Sequence, residues 1–193
     1  MGSPRRIRIT FQFMLPLMLM VATNVARGDA FDLARLMQLL AATPTTEVSF
    51  IEKKYSSLLS EPVVSSGKLR HQRPDIIEKN IELPRKEQYR FVGDELLLVR
   101  NGAEKRIRLS SQPLLLAFAA SLRGVLGGDL ALLRTHYQLS LVGGLPSWRL
   151  ELTPIDEGIG RYVQRIVVSG HDGRIEQIEV RESSGDRSVL QVR

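Results

Sequence analysis

Gln88-Tyr89-Arg90-Phe91-Val92-Gly93-Asp94-Glu95-Leu96-Leu97-Leu98-Val99-Arg100-Asn101-Gly102 holds two short strands and two turns, the pattern of an antiparallel meander. Gly93-Asp94 is a glycine-first pair between apolar runs, suited to a tight hairpin because glycine accepts the positive φ such a turn requires. After Asn101-Gly102, Lys105-Arg106-Ile107-Arg108-Leu109 alternates with a period of two, as a half-buried strand does. Upstream, Val48 and Phe50 alternate with Glu47, Ser49 and Glu52, Gly67 to His71 forms a further candidate, and Ile76 to Leu83 another. Before these, Leu33, Leu36, Met37 and Leu40 follow one helical face behind Asp32, a capping residue, and Thr43-Pro44 ends the helix. Downstream, Pro113 opens a helix carrying Leu114, Leu115, Phe118, Leu122, Val125 and Leu126, mostly three or four apart. Gly127-Gly128 breaks it, and Asp129 can cap a second short helix through Leu133. Strands return over 136–142, 147–153, 161–169, 174–182 and 186–192, separated by Gly143-Gly144, His171-Asp172-Gly173 and Ser184-Gly185. Strand predominance without regular strand–helix alternation predicts a mainly β (α+β) fold: an antiparallel sheet wrapped around helices.

The first thirty of the 193 residues read differently. Arg5, Arg6 and Arg8 precede an apolar block from Phe13 to Ala22, about half the length that crosses a bilayer as a helix. A basic start, a short apolar block and small residues at Gly28 and Ala30 describe a secretory signal peptide over 1–30, cleaved after Ala30. The expected mature chain, 31–193, is the size of one domain and shows no internal repeat or linker. Four of the 27 basic residues and one of the 21 acidic ones precede Phe31, so the overall charge of +6 falls to +3 beyond it. That mixed, mildly basic surface lacks the one-sided stripe with aromatic platforms that nucleic-acid binding requires. Cysteine is absent, which excludes disulfides, thiolate nucleophiles, cysteine metal sites and an acylated cysteine.

Catalytic patterns are scarce. His71, His136 and His171 fit no metal-ligand spacing and read as structural or surface residues. There is no G-x-S-x-G elbow and no glycine-rich phosphate cradle, and Ser183-Ser184-Gly185-Asp186 reads as a hairpin turn. No catalytic residue, metal or cofactor is expected. By contrast Leu114-Leu115-Leu116-Ala117-Phe118-Ala119-Ala120 is apolar nearly all round, as a helix is when buried on several sides or when it faces a cavity. An ordinary core helix and one lining an aliphatic ligand cavity both fit that pattern.

The order of motifs resembles the LolA family of periplasmic lipoprotein carriers, and within it a LolA-related branch. The resemblance rests on Val48-Ser49-Phe50-Ile51-Glu52-Lys53 after the opening helix, on Gly67 to Asp75 with Arg73-Pro74, on Gly93-Asp94-Glu95-Leu96, on Leu152-Thr153-Pro154, and on the turns at Gly173 and Gly185. Leu122 to Asp129 and Trp148 look more like the branch than the carrier proper. The resemblance implies an incomplete, curved antiparallel β-barrel with a helical lid over an apolar cavity. It implies that Arg73, before Pro74, bonds to lid-helix backbone and locks the lid. Ile76 and Ile77 then stand where the family has cavity or rim residues, and one of the two should point inward because strand neighbours face opposite sides. The expected lining comprises Leu36, Leu40, Val48, Phe50 and Leu69 early in the chain. Leu96, Leu98, Leu114 and Leu115 continue it, with Phe118, Leu122, Leu126 and Trp148. The implied function is a monomeric periplasmic shuttle for the acyl chain of a lipoprotein or lipid, served by an inner-membrane exporter and an outer-membrane acceptor. An envelope sensor or interaction module on the same scaffold, or a lipid-modifying hydrolase, are the alternatives.

Overall fold

The structure, a computed structural model, describes residues 31–42, 46–73 and 75–193. The signal peptide expected over 1–30, the Thr43-Pro44 stop, Pro74 and the Leu114 side chain lie outside the described residues.

Helix α1 (Leu33–Ala42) starts where the sequence provides a cap: Asp32 Oδ1 accepts the Arg35 N–H at 2.8 Å. Its apolar face, Leu36, Met37 and Leu40, is buried. Six strands follow as a meander: β1 (Thr46–Tyr55), β2 (Val63–Gln72), β3 (Ile76–Leu83), β4 (Glu87–Val92), β5 (Glu95–Arg100) and β6 (Ala103–Arg108). A 3₁₀ turn (Leu109–Ser111) leads into α2 (Pro113–Gly127) and α3 (Leu130–His136). A second meander closes the chain: β7 (Tyr137–Gly144), β8 (Ser147–Pro154), β9 (Val163–His171), β10 (Arg174–Glu182) and β11 (Arg187–Val192), with a short α4 (Glu157–Gly160) between β8 and β9.

The two meanders make one eleven-stranded antiparallel sheet in the order β6-β5-β4-β3-β2-β1-β11-β10-β9-β8-β7. Their seam is β1 against β11, with Phe50 opposite Val192. Strands β6 and β7 are its two free edges, so the barrel is incomplete, and α2 and α3 connect those edges.

Alternation decides which face the helices cover. Phe50, Leu69, Ile77, Phe91 and Leu96 from one half-sheet meet Leu150, Leu152, Ile166, Val168 and Leu190 from the other in a single apolar cluster. Leu36, Met37 and Leu40 of α1, Leu122 and Val125 of α2 and Leu133 of α3 join it. Each such side chain contributes roughly 1.5–3 kcal/mol through burial, which makes the sheet–helix interface the main stabilising surface. Of the pair Ile76-Ile77, Ile77 is the inward one: it is fully buried opposite Phe91 and His71, while Ile76 is half-buried. The opposite sheet face carries cross-strand ion pairs, with Glu78 between Arg70 (3.8 Å) and Arg90 (3.1 Å), and Arg165 on Glu151 (3.1 Å).

Element boundaries differ from the sequence reading at several places, two of them by three residues or more. Strand β2 begins at Val63 rather than Gly67, and His136 ends α3 rather than opening β7. At β2 the neighbouring strand decides, since Val63 and Val64 pair with Lys54 and Lys53 of β1; at α3 a local bond does, from the Tyr137 N–H back to the Leu133 carbonyl.

Candidate functional site

Between the concave sheet face and the helices lies a cavity of about 390 Å³. Leu40 of α1 and Leu126 of α2 cover it, while Val48, Leu69, Ile175, Ile178 and Val192 supply an aliphatic floor from four strands. Its volume is in the range of about 300–1,000 Å³ usual for ligand sites. His71, Gly173, Arg174 and Arg193 complete the lining. Gly173 sits against α1: a side chain there would press within 3.2 Å of the Leu39 carbonyl oxygen, so glycine lets the β9–β10 turn pass under the helix.

Leu69 and Ile178 also line a second, narrow hollow shared with Phe118 and Leu122 of α2 and with Val180, Ser188 and Leu190. These two residues form a waist between the hollows. At the far side stands an inward-facing ion pair, Lys79 Nζ to Glu52 Oε2 at 2.7 Å, with side chains only 12% and 18% exposed. The ammonium lies 5.3 Å from the centre of the Phe50 ring, and Ser65 Oγ donates to the same carboxylate oxygen at 3.4 Å. Farther along, the Tyr89 hydroxyl donates to Glu87 Oε2 at 2.6 Å, and burial with that carboxylate pushes the phenol up to about 12. The concave face is therefore aliphatic at one end and ion-paired at the other.

His71 is the buried polar side chain of the larger cavity. It is 6% exposed, and among the described residues its Nε2 has no hydrogen-bond partner. Burial lowers its pKa below the ordinary value of 6.5, and the nearby Arg73 charge lowers it further, so the imidazole is neutral at neutral pH.

The helices are fastened to the sheet at defined points. Tyr137 OH donates to the Ala117 carbonyl at 2.7 Å, and Arg123 Nη2 donates to the Gly93 carbonyl at 2.6 Å. Gly128 ends α2 in the left-handed region (φ 67°), and a Cβ there would collide with the Met37 carbonyl of α1. Asp129 Oδ1 then accepts the Leu132 N–H at 2.9 Å, the cap expected for α3.

Of the residues read as lining, Leu40, Val48, Leu69 and Leu126 border the larger cavity, and Leu69, Phe118 and Leu122 the narrow one. Leu36, Phe50, Ile77 and Leu96 sit in the surrounding core, with Leu98 and Leu115 half-buried. Trp148 is buried, donating from Nε1 to the Asp172 carbonyl at 2.9 Å, which fixes the turn that carries Gly173 and Arg174. Arg73 is exposed beyond the end of β2. The sequence reading missed Ile175, Ile178, Val192, Arg174 and Arg193, all brought in by the β1–β11 seam, and it left His71 without a role. Its alternation with Gly67 and Leu69 on one strand face is the signal that could have found it.

A model of the outer membrane lipoprotein carrier protein LolA-like family matches residues 25–191. The chain belongs to this family. No curated protein sequence matches the LolA-like chain. Among solved structures it is similar to the LolA superfamily protein NE2245 from Nitrosomonas europaea, with 14% identity, 83% of this chain and 89% of that one covered, and a TM-score of 0.48. It is also similar to the lipoprotein LppX of Mycobacterium tuberculosis (12% identity, 83% and 93% covered, TM-score 0.42). A third likeness is the MucA/MucB complex of Pseudomonas aeruginosa (15% identity, 83% and 53% covered, TM-score 0.45).

Among the described residues no group of three His, Asp or Glu side chains could hold a metal ion, and no helix is long and apolar enough to cross a membrane. What the site offers chemically is an aliphatic hollow with one neutral imidazole and two guanidinium groups.

Proposed function

We propose that this LolA-like chain is a periplasmic carrier, acting as a monomeric single domain over 31–193 after removal of 1–30 as a signal peptide. In this reading it takes the acyl chain of a lipoprotein or lipid under α1 and α2 and carries it between inner and outer membrane. The exporter that loads it and the acceptor that unloads it are partners by family analogy, and no catalysis takes part. The observation that carries the reading is the 390 Å³ aliphatic cavity under the helices. Family membership supports a carrier role, and burial of each methylene is worth roughly 0.8 kcal/mol, enough for a long chain to be held firmly. Firm holding conflicts with release unless ordering or moving the helices offsets part of that gain, so the reading needs a lid that opens. Arg73 belongs to the proposal as a residue that holds the lid closed.

Native mass spectrometry of protein purified from the cell envelope tests this. The reading expects co-purifying lipid and uptake of a fluorescent fatty acid by stripped protein. A bare mass with no uptake contradicts it.

A further inference from the structure

The end of the cavity formed by His71, Arg174 and Arg193 is chemically unlike its floor. Strand β2 ends just past His71, β11 ends at Val192 just before Arg193, and β10 starts at Arg174, so these three residues gather at one end of the central strands. Among the described residues neither Arg174 nor Arg193 forms an ion pair, and no carboxylate side chain lines the cavity. Of the two carboxylates nearest Arg174 in sequence, Asp172 and Glu176, the second is engaged by His171 Nδ1 at 3.0 Å.

His71 provides a second, independent sign. Buried polar atoms nearly always have a hydrogen-bond partner, and a buried atom without one calls for a reason. His71 Nε2 is such an atom, on a side chain more than nine-tenths buried that lines this cavity. A neutral imidazole carries one N–H and one bare nitrogen, so it can give a hydrogen bond to a ligand oxygen or accept one from a ligand hydroxyl. A wholly hydrocarbon guest would leave it orphaned.

We propose that the cavity takes a single-chain anionic amphiphile, its head group held at this end of the strands by Arg174 and Arg193, one head-group oxygen bonded to His71 Nε2, and its tail on Leu69 and Ile178. This rests on the carrier reading and adds the class of ligand. The head group is a carboxylate or a phosphate monoester; guanidinium groups bind either through charge-assisted hydrogen bonds. The volume, near the low end of the usual range, suits one chain rather than several.

Binding of palmitate, palmityl phosphate and palmityl alcohol to the purified protein, followed by calorimetry, tests it. At least one of the two anions should bind about tenfold or more tightly than the alcohol, the scale of one charge-assisted hydrogen bond. The double variant Arg174→Gln/Arg193→Gln should erase that preference while leaving alcohol binding intact. His71→Leu should weaken the preferred anion, whereas His71→Gln, which keeps a donor, should retain most of it. Preference between palmitate and palmityl phosphate identifies the head group. If all three ligands bind alike and the variants change nothing, the head-group site is overturned and the carrier stands. If none binds, the carrier reading falls and this inference with it.

Discussion

Arg123 Nη2 and the carbonyl oxygen of Gly93 are 2.6 Å apart, a hydrogen bond that ties α2 to the β4–β5 turn thirty residues earlier in the chain. The turn is itself braced, because Asp75 Oδ2 accepts the Gly93 N–H at 3.1 Å and Asp94 accepts both the Ser110 N–H and its hydroxyl. Burial lowers the pKa of Arg123, and the charges of Asp75 and Asp94 oppose that shift by favouring the cation. The helix over the narrow hollow is thus held by a cation that it supplies itself.

Arg123→Ala should therefore loosen α2 without unfolding the sheet. The expected cost is about 1–3 kcal/mol, that of a hydrogen bond from a charged group. Amide hydrogen exchange over 113–127 should quicken while exchange in β8 to β10 stays put. Unchanged protection in α2 would show that this bond does not hold the helix.

Gly128→Ala should be costlier than an ordinary surface change, for two reasons. The left-handed φ of 67° strains any side-chain-bearing residue, and the added Cβ would meet the Met37 carbonyl of α1. A loss of about 2 kcal/mol or more is expected in denaturant titration, within the range for strained backbone positions. Gly127→Ala, where a Cβ meets nothing within 4 Å, is the control and should stay near wild type.

Much of this architecture was legible in the sequence, and the reason is local. Gly93 takes the positive φ (52°) that a glycine-first hairpin demands, Asp32 and Asp129 cap the helices they precede, and the Leu36-Met37-Leu40 stripe is the buried face of α1. What stayed hidden depends on partners distant in sequence. Alternation assigns charged residues to solvent, yet Glu52 and Lys79 point inward because Ser65 and Gly67 on the intervening β2 leave room for them to meet. The cavity floor was half invisible for a similar reason: Ile175, Ile178 and Val192 reach it only through pairing of the first strand with the last. An all-apolar helix pattern told that α2 would be buried, but not that Arg123 would be its fastener.

The inward ion pair gives a third prediction. Lys79→Met leaves the Glu52 carboxylate without its cation on a mostly buried face, at an expected cost of about 2–4 kcal/mol. The double variant Glu52→Leu/Lys79→Met should recover most of that stability in a double-mutant cycle. If each single change costs only a few tenths of a kcal/mol, the pair is solvated and does not form the polar end of the concave face.

Stability should also depend on pH at both extremes. The Tyr89 phenol is raised in the folded chain, so its contribution is complete below its ordinary value of 10 and is lost as pH rises toward about 12. Tyr89→Phe should flatten the alkaline limb of a denaturant-midpoint profile. His71 has the opposite sense: its pKa is lowered on folding, so the unfolded chain takes up the proton first and stability drops as pH falls through 6.5. His71→Gln should flatten the acid limb, and an unaltered acid limb would show that the imidazole is solvated rather than buried.

Carriage under the helices is tested most simply by where an acyl chain lies on the protein. Intermolecular nuclear Overhauser effects between bound, isotope-labelled palmitate and the methyl groups of the protein measure this. Contacts are expected from the chain to Leu40, Leu69, Leu126 and Ile178, the residues that enclose the cavity under α1 and α2. Contacts confined to exposed side chains such as Leu58 and Val142, with none to these four, would contradict it.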